Sequence, residues 1–194
     1  MCIRDRVQAV LKKAAALDIA MICPLHGPVL KEDLGHYIDK YNIWSSYGVE
    51  SEGVFIAYAS VYGNTKKAAD MLASKLADKG VHVTVSDLAR DDWAECVEDP
   101  FRYGKLVLAA PTYNADVFPA MKEFINHLTE RNYQNRTIGI IENGSWAPMA
   151  AKVMKGMFEK SKNITFAENT VTVRSAVNAA NEAQIEALAE ELKG

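Results

Sequence analysis

A chain of 194 residues that is 49% hydrophobic can bury a full α/β core, since a domain near 150 residues buries roughly 70% of its unfolded surface. Its 22 basic and 25 acidic residues leave a net charge of -3 with no basic cluster, which excludes a nucleic-acid surface, and the scattered Cys2, Cys23 and Cys96 exclude a disulfide framework and point to a reducing, cytoplasmic setting. The longest uncharged run, Ile19 to Leu30, contains His26, Pro24 and Pro28 and falls well short of the ~20 apolar residues that span a bilayer, so no membrane segment is expected.

The opening Met1 to Arg6 shows no periodicity that joins it to a helix beginning near Val7. A helix is predicted over Gln8 to Leu17, a strand over Ala20 to Cys23, a helix over Lys31 to Ser45 and a linker over Tyr47 to Glu52. Five βα units follow, with strands near Val54 to Ala59, Val81 to Ser86, Leu106 to Ala110, Thr137 to Ile141 and Ile164 to Val173. The closing helix carries Ile185, Leu188, Ala189 and Leu192 on one face. Such alternation predicts a doubly wound, five-stranded parallel sheet in the order 2-1-3-4-5, with helices on both faces. The predicted division is residues 1–50 and 51–194.

The first βα turn is the most informative. An apolar strand runs through Ser60-Val61-Tyr62-Gly63-Asn64-Thr65 into a helix, and the opening N–H groups of a helix lack intrahelical partners and sit at its positive dipole end. Ser60, Thr65 and the amides of Tyr62 to Thr65 are therefore candidate donors to a phosphate. Neither G-x-x-x-x-G-K-[ST] nor G-x-G-x-x-G is present, which favours one terminal phosphate over a triphosphate or pyrophosphate.

Two later strands end in comparable loops. One carries Pro111-Thr112-Tyr113-Asn114-Ala115 before a helix that starts at Pro119 and whose apolar face is Met121, Phe124, Ile125 and Leu128. The other carries Asn143-Gly144-Ser145-Trp146. Ligands of open parallel sheets sit outside the carboxyl ends of the strands, so the three loops are expected to converge, with Tyr113 and Trp146 stacking on a flat heteroaromatic ring.

From about Glu52 onward these residues resemble the flavodoxin family, whose fold binds FMN through a phosphate loop and two ring loops. The Asn143-to-Pro148 segment, N-G-S-W-A-P, is similar to the form found in flavodiiron proteins, which reduce oxygen or nitric oxide. The resemblance implies FMN held by Ser60 to Thr65, Pro111 to Ala115 and Asn143 to Trp146, with no general acid or nucleophile in this domain. It implies a redox partner such as rubredoxin, ferredoxin or a flavin reductase, oxygen or nitric oxide as acceptor, and a homo-oligomer in the intact protein.

The first fifty residues fit that resemblance. Cys23-Pro24-Leu25-His26-Gly27-Pro28, followed by a helix, is similar to the end of the metallo-β-lactamase-like domain of flavodiiron proteins, and His26 matches that family's last di-iron ligand. The earlier H-x-E-x-D motif is absent, so the chain reads as a C-terminal piece in which no di-iron site is expected. The C-x-x-H spacing of Cys23 and His26 is a weak zinc signal without a second ligand pair. Cys96 is expected to be packed or partly exposed, His82 and His127 solvated or satisfied, and Asp87, Asp91 and Asp92 an acidic surface turn.

Two rivals bear on function. A stand-alone flavodoxin or flavin-dependent quinone reductase differs only in lacking the His-Gly-Pro and Asn-Gly-Ser-Trp segments. A phosphoacceptor receiver domain needs acidic residues at the ends of the first and third strands to meet Mg²⁺, where this chain has Ala59-Ser60 and Pro111-Thr112.

Overall fold

Alternation along the central strands decides how the larger part of the chain is built. In the computed structural model, which describes residues 3–194, Val54, Ile56 and Tyr58 of β1 (Ser51–Tyr58) join one apolar cluster, and Phe55 and Ala57 join another. A strand buried on both faces needs this unbroken apolar run, because successive side chains point to opposite sides of the sheet. The first face is covered by α3 (Asn64–Asp78) and α7 (Ala179–Leu192). The second is covered by α4 (Trp93–Arg102), α5 (Pro119–Glu130) and α6 (Ala150–Met157).

The parallel sheet runs β2 (Val83–Asp87), β1, β3 (Tyr103–Tyr113), β5 (Arg136–Asn143), β6 (Ile164–Val173), which is the predicted 2-1-3-4-5 order. The expectation missed β4 (Asp116–Val117), which pairs antiparallel with the end of β3. That pairing lengthens β3 beyond the predicted Ala110. Two glycines are fixed by close approach. A Cβ on Gly53, at φ +142°, would lie 2.7 Å from the His82 carbonyl oxygen, and one on Gly139 would press against Leu188, Leu192 and Val107 at 3.2 to 3.3 Å.

The chain separates into two compact units, the first ending at Glu50 and the second running from Ser51 to Gly194. In the first, α1 (Ile3–Ala14) and α2 (Leu34–Ser45) are held by Gln8, whose amide donates to Asn42 Oδ1 at 3.0 Å and Ser45 Oγ at 2.8 Å. Helix α1 takes in Ile3 to Arg6, which lack apolar periodicity, and stops three residues before the predicted Leu17. The predicted strand Ala20 to Cys23 is reduced to one bridge between Ile22 and Leu30, next to Pro24 and Pro28, which remove two donors. Helix α2 begins at Leu34 because Asp33, at φ 47°, interrupts the predicted start at Lys31. Cys2 lies outside the described residues. Of the other cysteines, Cys23 is exposed and Cys96 is buried on α4, where burial pushes its thiol up.

Helices α3 and α7 are joined by an ion-pair network. Lys75 and Lys79 each reach Glu186 at 2.6 Å, and Lys79 also reaches Glu190 at 2.6 Å. The two lysines hold the Glu186 carboxyl down, from 4.5 to about 2. A carboxyl with a lowered folded-state value stabilises the fold above its unfolded value and loses that contribution as pH falls. The expected result is a urea midpoint that drops between pH 4.5 and 2, with a shallower drop in Lys79→Gln or in high salt, which screens these half-exposed groups.

Candidate functional site

The parallel register brings four strand ends to one edge. Tyr58 pairs with Ala109, Pro111 with Asn143, and Asn143 with Val173, so the segments after β1, β3, β5 and β6 all leave on the carboxyl side. Strands β1 and β3 are neighbours, and the helices that follow them pack on opposite faces, which opens the crevice of a doubly wound sheet between the first two loops.

After β1, Ala59 is buried and Ser60, Val61, Tyr62 and Gly63 form an outward loop, with Tyr62 92% exposed. The Gly63 N–H donates to Ser60 Oγ at 3.1 Å, which closes the loop on itself. Gly63 caps α3 at φ 85° with no side-chain hydrogen bond, and nothing lies within 4 Å of where its Cβ would stand. Asn64 and Thr65 open the helix, and Thr65 is buried at 2% exposure.

Three other helix starts on this edge, those of α4, α6 and α7, are occupied by side chains of the protein. Asp92 accepts from the amides of Ala94 (2.7 Å) and Glu95 (3.3 Å) at α4. Asn178 accepts from Asn181 N–H at 3.1 Å at α7. At α6, Thr112 Oγ1 accepts from Met149 and Ala150 N–H at 2.9 and 3.1 Å, and Glu142 Oε2 accepts from Ala151 N–H at 2.9 Å. Helix α5 begins with Pro119, which has no N–H. Among the described residues, α3 is the helix that starts on a glycine cap; the Gly63 N–H is taken by Ser60 Oγ, no side chain bonds the amides of the first turn that follow, and hydroxyls stand on both sides.

The loop after β3 is a hairpin. Asn114 and Ala115 both have positive φ, 52° and 57°, the pattern of a two-residue type I′ turn, and they carry the chain back through β4. Tyr113 is 56% exposed and sets its ring edge-on to Phe118 at 5.9 Å. An open groove of about 360 Å³ lies beside it, lined by Asn114, Asp116, Lys122 and Asn126 among others. The Thr112 hydroxyl, expected among the cofactor-binding groups, is committed to the first turn of α6, so it shapes the site through that helix.

The loop after β5 is fastened from a side the sequence did not reveal. Asn143 donates to the Ser175 carbonyl and accepts from the Ser175 N–H, both at 3.1 Å, and Ser145 Oγ lies 2.8 Å from Ser175 Oγ. The side chain of Asn143, one of the residues named for the cofactor, is buried and paired with the loop after β6. Ser175, at φ 66°, is thus a site-forming residue without an evident sequence signal. Gly144 is closely packed: a Cβ there would lie 3.1 Å from Pro148 Cα and 3.2 Å from Thr112 Oγ1. Trp146 stands 96% exposed at the tip.

Asp87, expected to be part of a plain acidic turn, is a buried hub at the end of β2. It accepts from Tyr58 OH at 3.1 Å, Ala89 N–H at 3.0 Å and Arg90 at 2.6 Å, while Asp91 accepts from its own N–H at 2.7 Å. Burial acts to raise its carboxyl, yet these hydrogen bonds hold it below the ordinary range. Burial, then the neighbouring Asp87 charge, pushes the Tyr58 phenol up. His82 meets Tyr103 OH at 3.2 Å and His127 lies 3.4 Å from Glu123, as satisfied side chains.

His26 is exposed, and among the described residues no three His, Cys, Asp or Glu side chains gather as a metal would require. The residues present do not fit a di-iron centre. The described helices include none long and apolar enough to cross a membrane.

Comparison with known proteins agrees with this geometry. A family model described as Flavodoxin domain matches residues 55–174. Coenzyme F420H(2) oxidase of Methanothermobacter marburgensis is 32% identical over 62% of this chain and 29% of its own length. An uncharacterized protein of Methanocaldococcus jannaschii is 28% identical over 91% of this chain and 44% of its own. The solved structure of rubredoxin oxygen:oxidoreductase from Desulfovibrio gigas superimposes with a TM-score of 0.88 at 18% identity, covering 98% of this chain and 48% of that one. The chain spans less than half the length of each.

Proposed function

The chain belongs to the flavodoxin domain family, and from that premise we propose that it is the FMN-binding electron-transfer domain of a flavodiiron-type oxygen or nitric oxide reductase, preceded by the end of that protein's metal domain. The observation that carries the proposal is the uncapped start of α3 beside Ser60 and Thr65, on an edge where the starts of α4, α6 and α7 are already satisfied by side chains. One phosphate dianion suits that cradle. When bound, FMN supplies the one- and two-electron chemistry, and the protein supplies binding, orientation and electrostatics.

The amides of Asn64 and Thr65 and the hydroxyls of Ser60 and Thr65 would hold the phosphate. Tyr113 and Trp146 would flank the ring, and the backbone of Thr112 to Ala115 and Gly144 to Ser145 would offer polar groups to its edge. Electron donors of the rubredoxin, ferredoxin or flavin-reductase kind, a cytoplasmic setting and a head-to-tail homo-oligomer of the intact protein belong to the same proposal. The resemblance of rubredoxin oxygen:oxidoreductase and coenzyme F420H(2) oxidase supports it.

The test is reconstitution with FMN under anaerobic conditions. The purified chain is expected to take up stoichiometric flavin and to accept electrons from photoreduced deazaflavin, while holding no stoichiometric iron and consuming no nitric oxide. A tightly bound iron pair, with nitric oxide consumption lost in His26→Ala, would contradict the assignment of this chain to the flavin half alone.

A further inference from the structure

We propose that Glu142 is a positioning residue for the flavin site, holding the loop that carries Trp146 at both ends; the proposal rests on the FMN reading. Glu142 is the next-to-last residue of β5 and is buried at 7% exposure, between Ala110 of β3 and Thr172 of β6 in the register. A buried carboxylate is costly unless its oxygens are bonded. Here both are. Oε2 accepts from the Ala151 N–H at 2.9 Å, and Oε1 accepts from the Thr172 hydroxyl at 3.0 Å. Among the described residues no ion pair involves it, so its partners are an amide and a hydroxyl.

The placement explains why this side chain matters to the site. The loop that begins with Asn143 leaves directly after Glu142 and returns into α6, whose second residue is Ala151. One side chain therefore anchors the point where the loop leaves and the point where it lands. Its position at the first turn of α6 also matches the helix dipole and closes that start to a ligand anion. An exposed indole at the tip of a loop has no packing of its own to fix it. Its presentation to the ring must come from the loop's ends.

The test compares Glu142→Ala with Glu142→Gln by FMN titration, flavin emission and thermal melting of the flavin-free protein. Glutamine keeps the reach: its carbonyl can accept from Ala151 and its amide can donate to Thr172 Oγ1. Glu142→Ala is expected to weaken FMN about tenfold and brighten the bound flavin, while Glu142→Gln stays within about threefold of the parent. Parent-like affinity and emission in Glu142→Ala, or equal loss in both variants, would overturn the proposal. Should Glu142→Ala fail to fold, Thr172→Val removes one bond of the clamp without leaving a buried acid unsupported by Ala151. It is expected to weaken FMN about threefold, and unchanged affinity would overturn the proposal in the same way. Failure of the parent chain to bind FMN is a separate result, which removes the functional reading itself.

Discussion

FMN affinity is expected to fall about tenfold in Thr65→Ala and at least about a hundredfold in Thr65→Asp. The alanine loses one hydroxyl hydrogen bond to a charged oxygen, a contribution of roughly 1.5 to 3 kcal/mol. The aspartate adds a like charge at a position only 2% exposed, where water screens it poorly. Both variants keep the Ser60–Gly63 turn, so the loop that presents the amides survives. Isothermal or fluorescence titration reads the effect, and riboflavin serves as control: having no phosphate, it is expected to respond to neither substitution. Equal loss for both ligands would mean that the loop has collapsed and that Thr65 supports structure only.

Trp146→Ala is expected to brighten the bound flavin, to shift its midpoint potential and to weaken FMN about three- to tenfold, with no loss of thermal stability. The indole is 96% exposed and buries nothing in the core, so its removal changes the site without disturbing the fold. Tyr113 makes a useful contrast. It rests on Phe118 and follows Thr112, whose hydroxyl caps α6, so Tyr113→Ala is expected to lower stability as well as affinity. Emission and potential unchanged in Trp146→Ala would show that the indole does not lie against the ring.

The sheet was legible because its signal is physical and local. Val54 to Ala59 and Leu106 to Ala110 are apolar without interruption, as a strand covered on both faces requires, and the alternation of strands with helices points to a doubly wound parallel sheet. The cradle was legible for the same reason: glycine, hydroxyls and a helix start are adjacent in sequence. What could not be read depends on partners far apart along the chain. The clip between Asn143 and Ser175 joins residues 32 positions apart, and the Thr112 cap reaches 37 positions to Met149. Both residues look like ligand-binding groups in sequence, and in the structure both bond to the protein. The β4 hairpin was missed because its turn is Asn114-Ala115, without the glycine that usually marks two positive φ values. Glu142 follows the apolar run Ile138 to Ile141 in the sequence, but its role follows only from the position of Ala151 and Thr172.

The central claim is that the start of α3 holds the terminal phosphate of FMN, and the most direct measurement is the ratio of FMN to riboflavin affinity in the unmodified chain. The two ligands share the ring and differ in the phosphate. FMN is expected to bind at least about a hundredfold more tightly, as two or more charge-assisted hydrogen bonds require, with the difference shrinking in Thr65→Ala. Equal affinity for the two, or no binding of either, would contradict it.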